Sequence, residues 1–269
     1  MPVPDRHGKF TLAAYAGLDP TIGFAMQTRT VKLDFQGREI PFVFPDSGNM
    51  VDHLREIMSG RTYPIAMLPP GYRIEVIVDA GANVGASAVW FLNAAPDARV
   101  VCFEPTAQNH RCLAANLASF PRAEVYHCGL FSRERTAELF LGRNQCMQNS
   151  LVASVEVGGD SETIALKRAS TEFDRLGLQR ISILKIDTEG CEVPILEDLG
   201  ERLAMVDQIY VEYHSEEDRR AIDALLADRF SLAFCCAQLV HRGVALYVAN
   251  DLVDRVPGIA AMRLPRPLQ

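Results

Sequence analysis

Short runs of Val, Ile and Phe alternate with stretches of helical spacing through most of this chain, and the rhythm changes near residue 74. Before that point, Thr30-Val31-Lys32-Leu33-Asp34-Phe35 alternates polar and apolar side chains as a half-buried strand does. Gln36-Gly37 supplies a turn, and Ile40-Pro41-Phe42-Val43-Phe44 reads as the returning strand of a β-hairpin, its phenylalanines assigned to core. Val51, Leu54, Ile57 and Met58 then recur at helical spacing, predicting a helix over Met50–Met58 that Ser59-Gly60 ends. Pro69-Pro70-Gly71 closes this region. Residues 1–73 are accordingly read as an N-terminal cap that helps shape a substrate pocket, not as an independent domain.

From residue 74 to 254 strands and helices take turns. Val76–Val78 is a buried strand, followed by a glycine turn and a helix through Ala86–Ala95. Val100–Phe103 and Gln108–Ser119 repeat the pair, and Glu124–Leu130 makes a third strand. Ala137–Leu141 and Glu162–Leu166 read as short extra strands, and Thr171–Leu176 as a short helix. Ile181–Ile186, Val193–Leu203, Gln208–Tyr213 and Glu216–Ala227 continue the alternation. Leu232–Gln238 and Val244–Ala249, joined by His241-Arg242-Gly243, predict a closing antiparallel hairpin. Continuous apolar strands separated by helices imply an α/β, Rossmann-like fold with a mostly parallel sheet covered on both faces. Residues 255–269 are left as a C-terminal tail.

Composition narrows the function. A net charge of −7 and the lack of a dense basic run disfavour nucleic acid as partner. The N-terminus lacks the apolar stretch of a signal peptide, and no segment reaches the length of a membrane span, so a cytoplasmic location with no membrane partner is expected. The 7 cysteines form no CxxC pair, which argues against a cysteine-ligated zinc site. Cys235-Cys236 fall in a stretch read as a buried strand. The run Glu216–Arg220 reads as a solvated helix face, its acids placed well for the helix dipole.

The strongest local signal is Val78-Asp79-Ala80-Gly81-Ala82-Asn83-Val84-Gly85, set between the first buried strand and its helix. Ligands of open α/β sheets bind at this carboxyl edge. A dinucleotide fingerprint needs glycine where Asn83 and Ala86 stand, and the Asp79 carboxylate would repel a pyrophosphate. S-adenosylmethionine (SAM) carries an amino group and a sulfonium, which an acidic loop suits. Glu104, ending the next strand, is placed to accept both ribose hydroxyls; the alternative is that it caps the helix starting near Thr106.

Val78–Gly85, Phe103-Glu104-Pro105 and Leu184-Lys185-Ile186-Asp187-Thr188-Glu189-Gly190-Cys191-Glu192 together resemble the FkbM-type methyltransferase family over roughly residues 76–250. The resemblance implies a class I methyltransferase fold, SAM as cofactor, and methylation of a hydroxyl on a small molecule such as a natural product or sugar. It also implies that Asp79, Gly81, Asn83 and Gly85 line SAM, with Glu104 and the adjoining Pro105 at its ribose. Cys128-Gly129-Leu130 would then lie near the adenine.

Methyl transfer to a hydroxyl asks the protein to position the acceptor and remove its proton. Two neighbouring strand ends deliver suitable groups: Asp187 with Glu189, and Glu212 with His214. His214 is the expected general base, since an unperturbed imidazole titrates near neutrality. Asp187 would orient it, act as base itself, or touch the cofactor, while Glu189 would cap the helix beginning near Glu192. Asp187, Glu212 and His214 are also candidate ligands for Mg2+. Asn149-Ser150 are loop residues that would face substrate or solvent. The competing readings are an N-methyltransferase, a non-catalytic SAM-binding module and, less consistent with the broken glycine fingerprint, a dehydrogenase. The acceptor and the oligomeric state have no sequence signal.

Overall fold

The computed structural model describes residues 27–46, 50–65, 68–142 and 157–257. Asn149-Ser150 and most of the C-terminal tail lie outside them. The predicted hairpin is β1 (Thr28–Phe35) with β2 (Arg38–Pro45), and the helix after it, α1, runs Met50–Met58. Then come β3 (Val76–Ala80), α2 (Ala86–Ala94), β4 (Arg99–Phe103), α3 (Ala107–Leu117) and β5 (Ala123–Tyr126). β6 (Gly129–Phe131), β7 (Arg135–Gly142), β8 (Val157–Arg168) and α4 (Ala169–Arg175) follow. The last third holds β9 (Ile183–Ile186), α5 (Glu192–Leu199), β10 (Gln208–Tyr213) and α6 (Glu216–Leu226). It closes with β11 (Phe230–Leu239), β12 (Arg242–Ala249) and α7 (Asn250–Asp254).

Seven strands form the central sheet in the order β11-β12-β10-β9-β3-β4-β5. Its pairs are parallel except β10–β12 and β11–β12, so β12 is the reversed strand of a Rossmann-like class I methyltransferase sheet. The inner strands are apolar on both faces because helices cover both: Val78, Val100, Leu184 and Ile209 are fully buried.

Four details depart from the sequence reading. The expected third strand, Glu124–Leu130, is two strands in different sheets: β5 joins the main sheet, while β6 pairs with β8 in a second sheet ordered β6-β8-β7. A bend of two residues inside an apolar run leaves no mark on its periodicity. The two short extra strands are the longer β7 and β8 of that second sheet. The helix expected over Val193–Leu203 stops at Gly200 (φ 45°) and continues as a 3-10 turn to Met205. Cys235 and Cys236 are exposed, because β11 is the edge strand of the sheet.

The hairpin and α1 share the hydrophobic core of the sheet: Leu33, Phe42, Phe44, Met50 and Leu54 belong to one cluster with the sheet residues. Buried Asn116 of α3 bolts the hairpin down. Its amide donates to the Val43 carbonyl (2.7 Å) and the Val84 carbonyl (2.8 Å), and its oxygen accepts from the Val43 N–H (2.7 Å). The chain after α1 is fixed as well, since Trp90 Nε1 donates to the Tyr63 carbonyl (2.7 Å) and the Tyr210 hydroxyl to the Pro64 carbonyl (2.8 Å). Among the described residues, no helix is long and apolar enough to cross a membrane.

Candidate active site

The carboxyl ends of β3, β4, β9 and β10 open into a cleft of about 800 Å³, with Gly81, Glu104, Asp187 and Glu212 in its wall. The turn after β3 is held by Gly81 and Ala82, whose N–H groups both donate to the Phe103 carbonyl at 3.0 Å. Gly81 has φ +77°, and a Cβ there would stand 1.7 Å from the Asp187 carbonyl oxygen; only glycine lets β3 and β9 close at this point. Gly85 (φ +92°) serves packing instead, a Cβ there lying 2.9 Å from Leu113 Cδ1. Gly81 and Asn83 line the cleft; Gly85 and Asp79 do not.

Asp79 sits beneath the turn, fully buried, contrary to the expectation that it lines the cofactor. Ser87 Oγ donates to its Oδ2 at 2.6 Å, and Lys185 Nζ lies 3.1 Å from its Oδ1. Lys185 also donates to the Gly81 carbonyl (2.7 Å) and stands 3.5 Å from Asp187 Oδ2. Burial works against this ammonium, but Asp79 and then Asp187 hold its pKa well above the usual lysine value. A neutralised Asp79 cannot repel a pyrophosphate, so the case against a dinucleotide rests on Asn83 and Ala86 alone.

Glu104 is both a helix-start anchor and a cleft residue. Its Oε1 accepts from the Thr106 N–H (2.9 Å) and hydroxyl (2.6 Å), and its Oε2 from the Asn83 N–H (2.9 Å). Burial nevertheless raises its pKa against those donors. Oε1 has both of its acceptor sites filled, while Oε2 keeps one for a further hydroxyl. Beside it, Pro105, Gly129 and Leu130 line the cleft, joined by Leu139, Ile164 and Leu166 of the second sheet. Glu162 of β8 caps α3 through the Ala107 N–H at 2.9 Å.

The expected acid–histidine cluster forms: one ligand-type atom each from Asp187, Glu212 and His214 lie within 4.8 Å of one another. Parallel pairing of β9 with β10 brings them there. The expected roles change. His214 is not in the cleft wall; its Nε2 is 3.0 Å from Glu189 and 3.9 Å from Glu212, and its Nδ1 is 3.8 Å from Glu192. Burial opposes its charge, but Glu189 chiefly, then Glu192 and Glu212, raise its pKa to about 9. At neutral pH it is already an imidazolium, with no free lone pair to take a proton. Glu189 (φ 55°) therefore orients His214 in place of Asp187, and it caps nothing. Glu192 instead ties down the turn before α5, accepting from the Thr188 N–H (2.7 Å) and the Gly190 N–H (3.0 Å).

Burial alone would raise Asp187, but Lys185 and then His214 hold it below the usual carboxylate range. Glu212 goes the other way: burial first, then the Asp187 charge, raise it to about 8, against Arg242 at 2.9 Å. Arg242 also pairs with Glu189 at 2.8 Å. The cluster does not fit Mg2+. That ion wants an octahedron of oxygen ligands, whereas one of these three groups is an imidazole, and Lys185 (3.5 Å from Asp187) and Arg242 (2.9 Å from Glu212) already pair with the carboxylates.

The cap contributes a whole wall that sequence reasoning left without residues: Asp52, His53, Glu56, Arg61 and Thr62. His53 had a visible signal, a polar residue three after Met50 and four before Ile57 on an apolar helix stripe. Arg242 had none, since only the β10–β12 pairing carries its turn beside Glu212 and Glu189.

The family described as the Methyltransferase FkbM domain matches residues 79–233. The chain belongs to this family. Among curated relatives, the AMB antimetabolite synthetase AmbE of Pseudomonas aeruginosa is 32% identical over 190 residues, covering 56% of this chain but only 9% of that protein. Methyltransferase sdnD of Sordaria araneosa is 29% identical over 208 residues, covering 65% of this chain and 79% of the relative. The 2-O-methyltransferase NoeI of Sinorhizobium fredii is 23% identical over 191 residues, covering 63% and 79% respectively.

Proposed function

We propose that this chain is a SAM-dependent O-methyltransferase acting on a hydroxyl of a small molecule, a natural product or a sugar. The observation that carries the reading is a single cleft with two unlike walls. One wall is a glycine turn with a strand-end carboxylate and an apolar shelf; the other is the polar face of the cap. The first suits a cationic nucleoside: Glu104 keeps one acceptor site, on Oε2, for a ribose hydroxyl, Leu130, Leu139, Ile164 and Leu166 offer an apolar contact for a base, and Asp187 faces the region of the turn. When bound, SAM supplies a methyl carbon already activated by its sulfonium.

The protein's own tasks are then to hold the acceptor in line and to exclude water. Asp52, Glu56, Arg61 and Thr62 give the cap wall both donors and acceptors, which suits a polyhydroxylated partner better than an apolar one. The volume leaves room for a second molecule beside a nucleoside, within the usual range of ligand pockets. The relatives NoeI, a 2-O-methyltransferase, and AmbE, an antimetabolite synthetase, agree with a hydroxyl acceptor and with natural-product chemistry respectively. An N-methyltransferase on the same scaffold is the alternative.

Calorimetric titration with S-adenosylhomocysteine, with NAD as comparison, tests the cofactor half. Micromolar binding that Glu104→Ala abolishes is expected; a folded wild type that binds only NAD, or neither, refutes it. Methyl transfer from labelled SAM to paired hydroxyl and amine acceptors of matched size tests the rest. Transfer confined to the amines would replace the O-methyl reading with the alternative.

A further inference from the structure

Behind the cleft lies a small chamber of about 30 Å³ under the glycine turn, walled in part by Met50, Ile57, Tyr63 and Lys185. The cleft and the chamber share four residues: His53, Gly81, Asn83 and Asp187. That seam is where the cofactor-type turn meets the end of β9. His53 reaches it from the cap, since Met50, His53 and Ile57 fall on one face of α1 and all three front the chamber. The helix is anchored by buried Met50, Leu54, Ile57 and Met58, so the imidazole is held on a fixed element. A polar ring on an otherwise apolar stripe costs stability unless it meets a partner there.

We propose that His53 is the general base of the reaction, taking the proton from the acceptor hydroxyl at this seam. The inference rests on the O-methyltransferase reading. The acceptor O–H bond breaks with its electron pair left on oxygen, and the proton passes to a ring nitrogen of His53. The oxygen forms its bond to the methyl carbon while the carbon–sulfur bond breaks and its pair returns to sulfur. The histidinium so formed faces Asp187 and Glu56, which stabilise it, and Lys185 and Arg242, which make it release the proton again.

The other bases of the site are poorly placed for this task. His214 is already protonated and off the cleft wall, Asp187 is held acidic by Lys185, and Glu212 is pushed to about 8 while bound to Arg242. Among the described residues, His53 is the one histidine in the cleft wall. Burial lowers its pKa against the attraction of Asp187, leaving a neutral ring at pH 7.

The test uses the full chain in two arms. In the first, ring-15N-histidine spectra of the S-adenosylhomocysteine complex are titrated, His53 being assigned by its loss in His53→Gln. A neutral ring at pH 7 is expected, and a protonated one overturns the assignment whatever the acceptor. In the second, wild type and His53→Gln are given labelled SAM with a panel of methyl glycosides and 2-hydroxy acids. The variant should bind S-adenosylhomocysteine within twofold of wild type, lose roughly 10²–10⁴-fold in kcat, and lack the acid limb of the wild-type pH–rate profile. Retained rate and retained acid limb overturn the assignment alone. A wild type that binds S-adenosylhomocysteine but methylates none of these hydroxyls sinks the parent reading, and the assignment falls with it.

Discussion

Replacing Lys185 with methionine asks how much of the site depends on one buried charge. The ammonium, 3% exposed, lies 3.1 Å from an Asp79 carboxylate that is 0% exposed. At an effective dielectric constant of about 20 their attraction is about 5 kcal/mol, before the cost of drying both ions. The variant keeps the dried carboxylate and removes its counter-ion, leaving Asp79 with the hydrogen bond from the Ser87 hydroxyl. Breaking a buried pair in this way costs about 3–5 kcal/mol, a large share of the 5–15 kcal/mol typical of a domain. At roughly 2–4 °C per kcal/mol for a chain of this size, Tm should fall by about 10 °C. Removing both charges isolates the cause: Asp79→Asn with Lys185→Met should recover more than half of the loss, because nothing charged is then left buried alone. Differential scanning calorimetry of wild type, both single variants and the double decides it. A double variant no more stable than Lys185→Met would refute the charge argument and point to lost packing of the lysine stem.

Three further expectations follow from the geometry. Asn116→Ala strips three hydrogen bonds that seat the hairpin on α3 and the glycine turn, and should cost about 2–4 kcal/mol in urea unfolding. Gly81→Ala places a methyl 1.7 Å from the Asp187 carbonyl, so S-adenosylhomocysteine binding should be lost even where circular dichroism shows a folded chain. Raising pH should destabilise the protein between about 6.5 and 9. His214 binds its proton more tightly folded (about 9, against 6.5), so its contribution is complete below 6.5 and lost as pH passes 9. Glu212, raised from 4.5 to about 8, acts in the same direction from lower pH. The histidine share is worth about 3 kcal/mol; thermal melts should show a flatter pH dependence in His214→Gln, and stability that rises over this window would contradict the pairing.

The elements were largely legible because each carries its own period. α1 begins and ends where its apolar spacing and the Ser59-Gly60 break put it, and β10 spans Gln208–Tyr213 as read. The glycine turn after β3 was legible too, through glycines whose backbone duties need no partner to be guessed. What escaped reading was pairing. Nothing in the order of residues says that Asp79 spends its charge on Lys185, or that Glu189 rather than Asp187 reaches His214. Those facts depend on which strand ends lie side by side and on how dry the space between them is. The acid–histidine cluster was therefore found, and its protonation was not: three carboxylates around one imidazole turn an apparent base into a fixed cation.

The stretch that matches the FkbM family starts at residue 79, yet the cleft wall formed by Asp52, His53, Glu56, Arg61 and Thr62 lies wholly before it. Two stretches of chain thus meet across one opening, and they are separable in sequence. On the proposed function, substitutions within residues 52–62 should change acceptor choice without touching Gly81, Asn83 or Glu104. A library confined to that stretch is the economical place to look for altered taste, while the family segment keeps the donor side constant.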